Sequence, residues 1–282
     1  MPLPLDKLGI TYPEKVATID PDRAKAYAAA TNDDNEAYTS GRLVPPVFAV
    51  VPAFENVGEI GAEVIPPENL LSLVHGEQDI HLHQPLVPGM TLRSTATFIA
   101  ARAGSTGTRI TTRVDSTDDS GALVAEQYFT IFLRGLTDAE SAGPDKPNHD
   151  FPEELRGSTP VGTVTIHVDD DQTLRYRDAS GDMNPIHVDD EIARSVGLPG
   201  KILHGLCTMA FTSQAVIRTV AGGDPARLRR LAVRFAANVL PGNDVETTIY
   251  DAGERDGRHC YAFEATSAGA TVIKNGWAEV DG

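Results

Sequence analysis

The sequence predicts an α+β fold built twice, each copy an antiparallel sheet wrapped around one apolar helix. Three observations predict it. A segment rich in Gly, Pro and acids, residues 135–160, divides the chain into two halves of similar pattern. In each half an apolar helical run precedes three or four strand-like runs. The stretch Tyr27-Ala-Ala-Ala-Thr-Asn-Asp33-Asp-Asn35 aligns without gaps on Tyr176-Arg-Asp-Ala-Ser-Gly-Asp182-Met-Asn184, so one frame occurs twice. The expected organisation is a first repeat over residues 1–134, a linker over 135–160 and a second repeat over 161–282.

Each half is expected to open with a short helix. Asp20-Pro21 supplies an N-cap followed by proline at the first helical position, and the helix runs to about Thr31. Its counterpart starts at residues 169–171 and runs through Ala179. A longer apolar helix follows. In the second half it starts at Gly205 and ends near Ala221, before Gly222-Gly223. Apolar residues cover most of its circumference, the signature of a helix inside a core. The first-half counterpart, 46 to about 57, contains Pro52 and is expected to be shorter or kinked. Strands are expected at 78–83, 91–102, 107–117 and 122–134, and again at 229–238, 244–252, 258–267 and 270–280. In each half the first strand leads to a Pro-Gly turn, with His81 seven residues before Pro88 and Arg234 seven before Pro241. Gly104-Ser-Thr-Gly107 reads as a hairpin turn, because no helix follows it.

The 282 residues suffice for two ordinary domains, and 41% apolar with 23% charged side chains is the balance of a globular protein. A formal charge of −16 argues against nucleic acid or an anionic membrane as partner. The charge is uneven: residues 1–160 hold 12 basic and 23 acidic side chains, residues 161–282 hold 12 and 17. An anionic ligand therefore meets less repulsion at the second half. No apolar run is long enough to span a bilayer, and neither end carries a signal-peptide or Ser-Lys-Leu pattern, so a cytoplasmic location is expected. Cys207 and Cys260 match no metal spacing and read as buried small hydrophobes.

Chemistry concentrates in Ser180-Gly181-Asp182-Met183-Asn184-Pro185-Ile186-His187. Pro185 disfavours helix at Asn184 and restrains the loop, which lets Asp182 and His187 converge. A histidine beside a carboxylate is the usual means of moving a proton near neutral pH. His204-Gly205 follows at the head of the buried helix, where the Gly205 N–H is one of the unpaired donors and the dipole favours negative charge. That suits the oxygen of a developing enolate. Asn184 either contacts substrate or turns onto its own backbone. Lys201, Arg229, Arg230, Arg234 and Lys274 are candidates for phosphate contact, each weighed against a solvated surface charge. His81 and His83 share a strand face, but no carboxylate or cysteine pattern makes them metal ligands. In the first half Asp33 matches Asp182, whereas Glu36 stands at the place of Pro185 and Tyr38 at that of His187. The first half thus reads as a degenerate copy kept for folding and for shaping a pocket.

Through Tyr176, Ser180-Gly181-Asp182, Asn184-Pro185, His187 and His204-Gly205 the chain resembles the MaoC-like, (R)-specific enoyl-CoA hydratase family, hydratase 2. The resemblance covers both halves as a double hot-dog. It implies a site on the second repeat with Asp182 and His187 as the dyad, Gly205 N–H as oxyanion donor and Asn184 as a site residue. It implies an acyl-CoA or acyl-carrier thioester as substrate, with no metal or organic cofactor, and reversible hydration of trans-2-enoyl to (R)-3-hydroxyacyl thioesters. A homodimer of double hot-dog chains is expected. The competing expectations are a hot-dog thioesterase, a non-catalytic subunit of a heteromeric dehydratase, and a hydratase for a branched, dicarboxylic or steroid side-chain thioester. The intact Asp-x-Asn-Pro-x-His run argues against the first two.

Overall fold

A computed structural model describes residues 3–69 and 73–282. The first half runs β1 (Lys15–Thr18), α1 (Pro21–Ala30), α2 (Glu36–Thr39), α3 (Val50–Val64), β2 (Leu73–Leu82), β3 (Thr91–Gly104), β4 (Gly107–Thr117) and β5 (Leu123–Arg134). The second runs β6 (Gly162–His167), α4 (Gln172–Ser180), α5 (Asp190–Ser195), α6 (Gly205–Val220), β7 (Leu228–Phe235), β8 (Asp244–Arg255), β9 (Arg258–Ser267) and β10 (Ala270–Val280).

All ten strands form one sheet in the order β1-β3-β4-β5-β2-β7-β10-β9-β8-β6, with every pairing antiparallel. The order is symmetric about the β2–β7 seam, as two copies of one unit joined edge to edge require. At the seam Glu77 lies opposite Arg234 and His81 opposite Arg230. Arg230 sends two guanidinium hydrogen bonds to Asp79, at 3.0 and 2.8 Å, with both side chains buried. The sheet curls over α3 and α6, which lie in a continuous apolar core. This is the double hot-dog.

Most elements fall where local chemistry puts them. Asp20 accepts from the Arg23 N–H at 2.8 Å and caps α1, with Pro21 opening the helix. Gly181, at φ +81°, ends α4 in the left-handed region, and Asn32 at φ 53° does the same after α1. The helix α6 buries twelve of its sixteen residues. Cys207 and Cys260 are buried and unbridged.

Two differences have physical causes. The first-half helix is neither short nor broken: a 3-10 turn over Pro46–Ala49 leads into α3, which continues to Val64. Pro52 falls in the first turn, where a missing N–H deprives the helix of little. Each half opens with a strand, β1 or β6, rather than with its helix; both are short, half-exposed edge strands. The segment 135–160, expected as a linker, packs against both halves. It bridges β3 at Ala142–Ala101, anchors His149 to the Asn275 carbonyl at 2.7 Å, and buries Phe151 against Ala232, Cys260, Ala262 and Trp277.

Candidate active site

The loop after α4 is assembled by its own short side chains. The Asp182 N–H donates to Ser180 Oγ at 3.1 Å, the Asn184 N–H to Asp182 Oδ1 at 3.1 Å, and the Ile186 N–H to Asn184 Oδ1 at 3.3 Å. Asn184 thereby caps a 3-10 turn over Pro185–His187, which carries the imidazole inward to 8% exposure. His187 Nδ1 donates to the Ile202 carbonyl at 2.8 Å, which leaves Nε2 with its lone pair free. His204 Nε2 donates to the Asp182 carbonyl at 3.2 Å, and its Nδ1 is buried without a partner among the described residues. The His204 ring stacks on His187, centroids 3.9 Å apart, and lies 4.8 Å from the Tyr176 ring.

Side-chain donor atoms of Asp182, His187 and His204 come within 4.8 Å of one another, so these three would also be the residues to hold a cation here. Burial lowers the His187 pKa, opposed by the Ile202 carbonyl and the Asp182 charge. Burial, followed by the neighbouring His187, brings His204 down to about 4. Both rings are therefore neutral at pH 7.

Asp182, Asn184, His187 and Gly205 line one cavity of about 400 Å³. Gly205 opens α6 with no side chain capping it. A Cβ at this position would stand 3.2 Å from the Phe235 ring, so glycine is what lets that aromatic wall close on the helix start. The opposite wall comes from the first half: Phe54, Val57, Phe129 and Ile131, with His75 among them.

The structure brings Asp182, Asn184, His187 and Gly205 together and leaves the phosphate candidates dispersed. Arg229 is ion-paired to Asp281, and Arg230 is buried in the seam against Asp79 and Glu279. Arg234 lies in a separate groove on the other face of the sheet, with Arg109 and Lys146. Lys274 faces it across the β7–β10 pairing, and the Lys201 backbone N–H is bound by Asp190. His81 contacts Asp79 at 3.2 Å, consistent with a packed strand face.

Three residues near the loop escaped the sequence. His204 was visible only as the residue preceding Gly205. His75 lies on β2 and reaches the cavity only through tertiary packing. Arg23, on α1, donates to the Ala179 and Ser180 carbonyls at 2.8 and 2.7 Å, fastening the end of α4 from the first half. In the repeat frame Arg23 corresponds to Gln172, which donates to the Ala30 carbonyl in the reciprocal place. Two long polar side chains at matched positions were the available signal.

The first-half loop repeats the hydrogen-bond frame with a different side chain at the histidine position. The Asn35 N–H donates to Asp33 and the Ala37 N–H to Asn35, as in the second half. Tyr38 occupies the histidine position, buried and with its hydroxyl unpaired among the described residues.

Comparisons with known proteins agree on one family. Residues 153–272 match the MaoC like domain, and residues 38–135 match the MFE-2 hydratase 2 N-terminal domain. The chain is 34% identical to 3-hydroxyacyl-thioester dehydratase Y of Mycobacterium tuberculosis, over 73% of this chain and 70% of that one. It is 30% identical to the peroxisomal enoyl-CoA hydratase 2 of Arabidopsis thaliana, over 65% of this chain and 61% of that one. A crystal structure of a MaoC-like dehydratase from Phytophthora capsici superposes with a TM-score of 0.87 at 29% identity, covering 98% of this chain and 97% of that one. Two family profiles set end to end on one repeated fold leave a single assignment: this chain belongs to the MaoC-like, hydratase 2 family of hydro-lyases, which add water to enoyl thioesters or remove it.

Proposed function

We propose that the second half carries the reaction, with Asp182 and His187 as the dyad, and that the first half is a degenerate copy that shapes the acyl pocket. The observation that supports this most directly is their convergence with Gly205 on one cavity. A trans-2-enoyl thioester lies with its carbonyl at the start of α6 and its chain along the first-half wall. Asp182 and the free His187 Nε2 hold a water, remove one of its protons, and the oxygen attacks C3. The electron pair moves through C2 onto the thioester oxygen. There the Gly205 N–H and the positive end of α6 stabilise the enolate. The dyad returns a proton to C2, giving the (R)-3-hydroxyacyl thioester, and dehydration runs the same steps backwards. Neutral His187 can accept a proton at pH 7, which this sequence of steps requires.

The proposal extends to a CoA-linked substrate and to a cytoplasmic homodimer of double hot-dog chains. Among the described residues no helix is long and apolar enough to cross a membrane. Sedimentation equilibrium checks the dimer.

The reaction is tested by following ultraviolet loss of a trans-2-enoyl-CoA together with free thiol. Loss of the enoyl band without thiol release, with (R)-3-hydroxyacyl-CoA as product, is expected. Thiol release would place the chain with thioesterases instead.

A further inference from the structure

The acyl wall of the cavity is apolar except at one point. Phe54, Val57, Leu73, Phe129 and Ile131 give a hydrocarbon chain what it needs, yet His75 stands among them. Its ring is held from two sides, stacked on Phe129 at 5.9 Å and tilted against Phe235 at 5.1 Å. Its Nε2 is buried and has no hydrogen-bond partner among the described residues. The Gln78 side chain and a Glu77 backbone group lie near enough to favour charge on the ring, but neither closes a bond to Nε2. Gln78 Oε1 is itself buried and unpaired, although the Gln78 amide reaches Gln127 and Gln127 in turn reaches the Ala49 carbonyl. The first-half core therefore holds two unsatisfied polar atoms, of which His75 Nε2 belongs to a residue that lines the acyl pocket. Burying such atoms without partners is costly, and an apolar chain would leave them so.

We propose that His75 is a specificity-determining residue that selects enoyl thioesters whose acyl chain carries a hydroxyl or carbonyl oxygen beyond C3. A hydroxyl fits best: it can donate to or accept from Nε2 whichever tautomer is present. Burial brings the His75 pKa down to about 4, so the ring meets the substrate as a neutral hydrogen-bonding group and carries no charge for a carboxylate. His75 and Asp182 line the same cavity, so a chain held at the dyad runs within reach of both. The inference rests on the hydratase reading and adds a substrate class to it.

The test uses the purified full-length chain and pairs of trans-2-enoyl-CoA substrates matched in length, with and without a hydroxyl or oxo group between C4 and the chain end. The wild type is expected to favour the oxygenated member of at least one pair by about tenfold to a hundredfold in kcat/KM. His75→Phe is expected to erase that preference, bringing kcat/KM for the two members of each pair together. Should His75→Phe fold poorly, His75→Leu serves as the second apolar replacement. His75→Gln, which keeps a hydrogen-bonding group, should retain part of the preference. Equal turnover of both members of every pair by the wild type, or a preference that survives both apolar variants, overturns the proposal and leaves the hydratase reading intact. Failure to hydrate any enoyl thioester overturns the hydratase reading itself.

Discussion

The imidazoles of His187 and His204 lie face to face, 3.9 Å between centroids and 26° between planes. Two charged rings cannot share that spacing in a buried site without strong repulsion. Each ring instead donates one N–H to a backbone carbonyl, of Ile202 or Asp182, and stays neutral.

A pH dependence follows. His75, His187 and His204 all have pKa values lowered in the fold, with His75 and His204 at about 4 against 6.5 in the unfolded chain. Between those values the unfolded chain binds protons that the folded chain does not, so stability rises with pH across that window. Their contribution is complete above pH 6.5 and is lost as pH falls towards 4. Glu77 acts in a lower window: despite burial, His149 and Lys146 bring it to about 2, so its contribution is lost between about 4.5 and 2. Urea midpoints measured from pH 7.5 to 3 should fall in two stages, and His204→Gln should flatten the upper one. An upper stage unchanged in that variant would contradict the assignment.

Asp182→Asn and His187→Gln should each lower kcat by about 10³-fold or more, with circular dichroism and thermal midpoint close to wild type. Near-normal turnover in either purified variant would remove the dyad from the mechanism.

Gly205→Ala brings a methyl group to 3.2 Å from the Phe235 ring. The overpacking should cost about 1–3 kcal/mol of stability and shift the helix start. Removing an aligned oxyanion donor costs about 10²–10³ in kcat. Adding Phe235→Leu should recover stability, and recovery of rate alongside it would show that donor position was what the methyl disturbed. No loss of either in Gly205→Ala would refute the packing argument.

Arg23 and Gln172 provide a matched pair. Each fastens the helix end of the opposite half, but only Arg23 holds the loop that leads to Asp182. Arg23→Ala and Gln172→Ala should both destabilise the chain, by about 1–3 kcal/mol. Arg23→Ala alone should also reduce kcat while leaving KM nearly unchanged. Equal kinetic effects from the two variants would assign Arg23 a purely structural part.

The repeat, the Asp182–His187 loop and the Gly205 helix start were legible because their signals are local: caps, turn residues, a proline, and a frame repeated at matched positions. Seven of the eight expected strands begin within one residue of the observed ones, since each is bounded by turn chemistry; the exception is β2, which among the described residues begins five residues earlier, in a stretch with weak alternation. What stayed hidden depends on neighbours distant in sequence. The edge strands β1 and β6 are too short to show a period. Arg230 looked like a surface cation until the seam buried it against Asp79. His75 shares a cavity with Asp182 and His187 only because the sheet curls the first half over the second, and no spacing along the chain encodes that approach.

The β2–β7 seam also makes each half a poor partner for its own copy. The frame that sets His81 and Arg234 seven residues before their prolines places Glu77 at the position of Arg230, and Asp79 at that of Ala232, on the axis between the halves. Two first halves joined along this edge would confront Asp79 with Asp79. Two second halves would set Arg230 against Arg234. Like charges directly opposed on neighbouring strands are unfavourable, and more so when buried. Only the mixed pairing neutralises the seam, which makes the two halves electrostatic complements of one another. A free second half would lack both its seam partner and the pocket wall that partner provides.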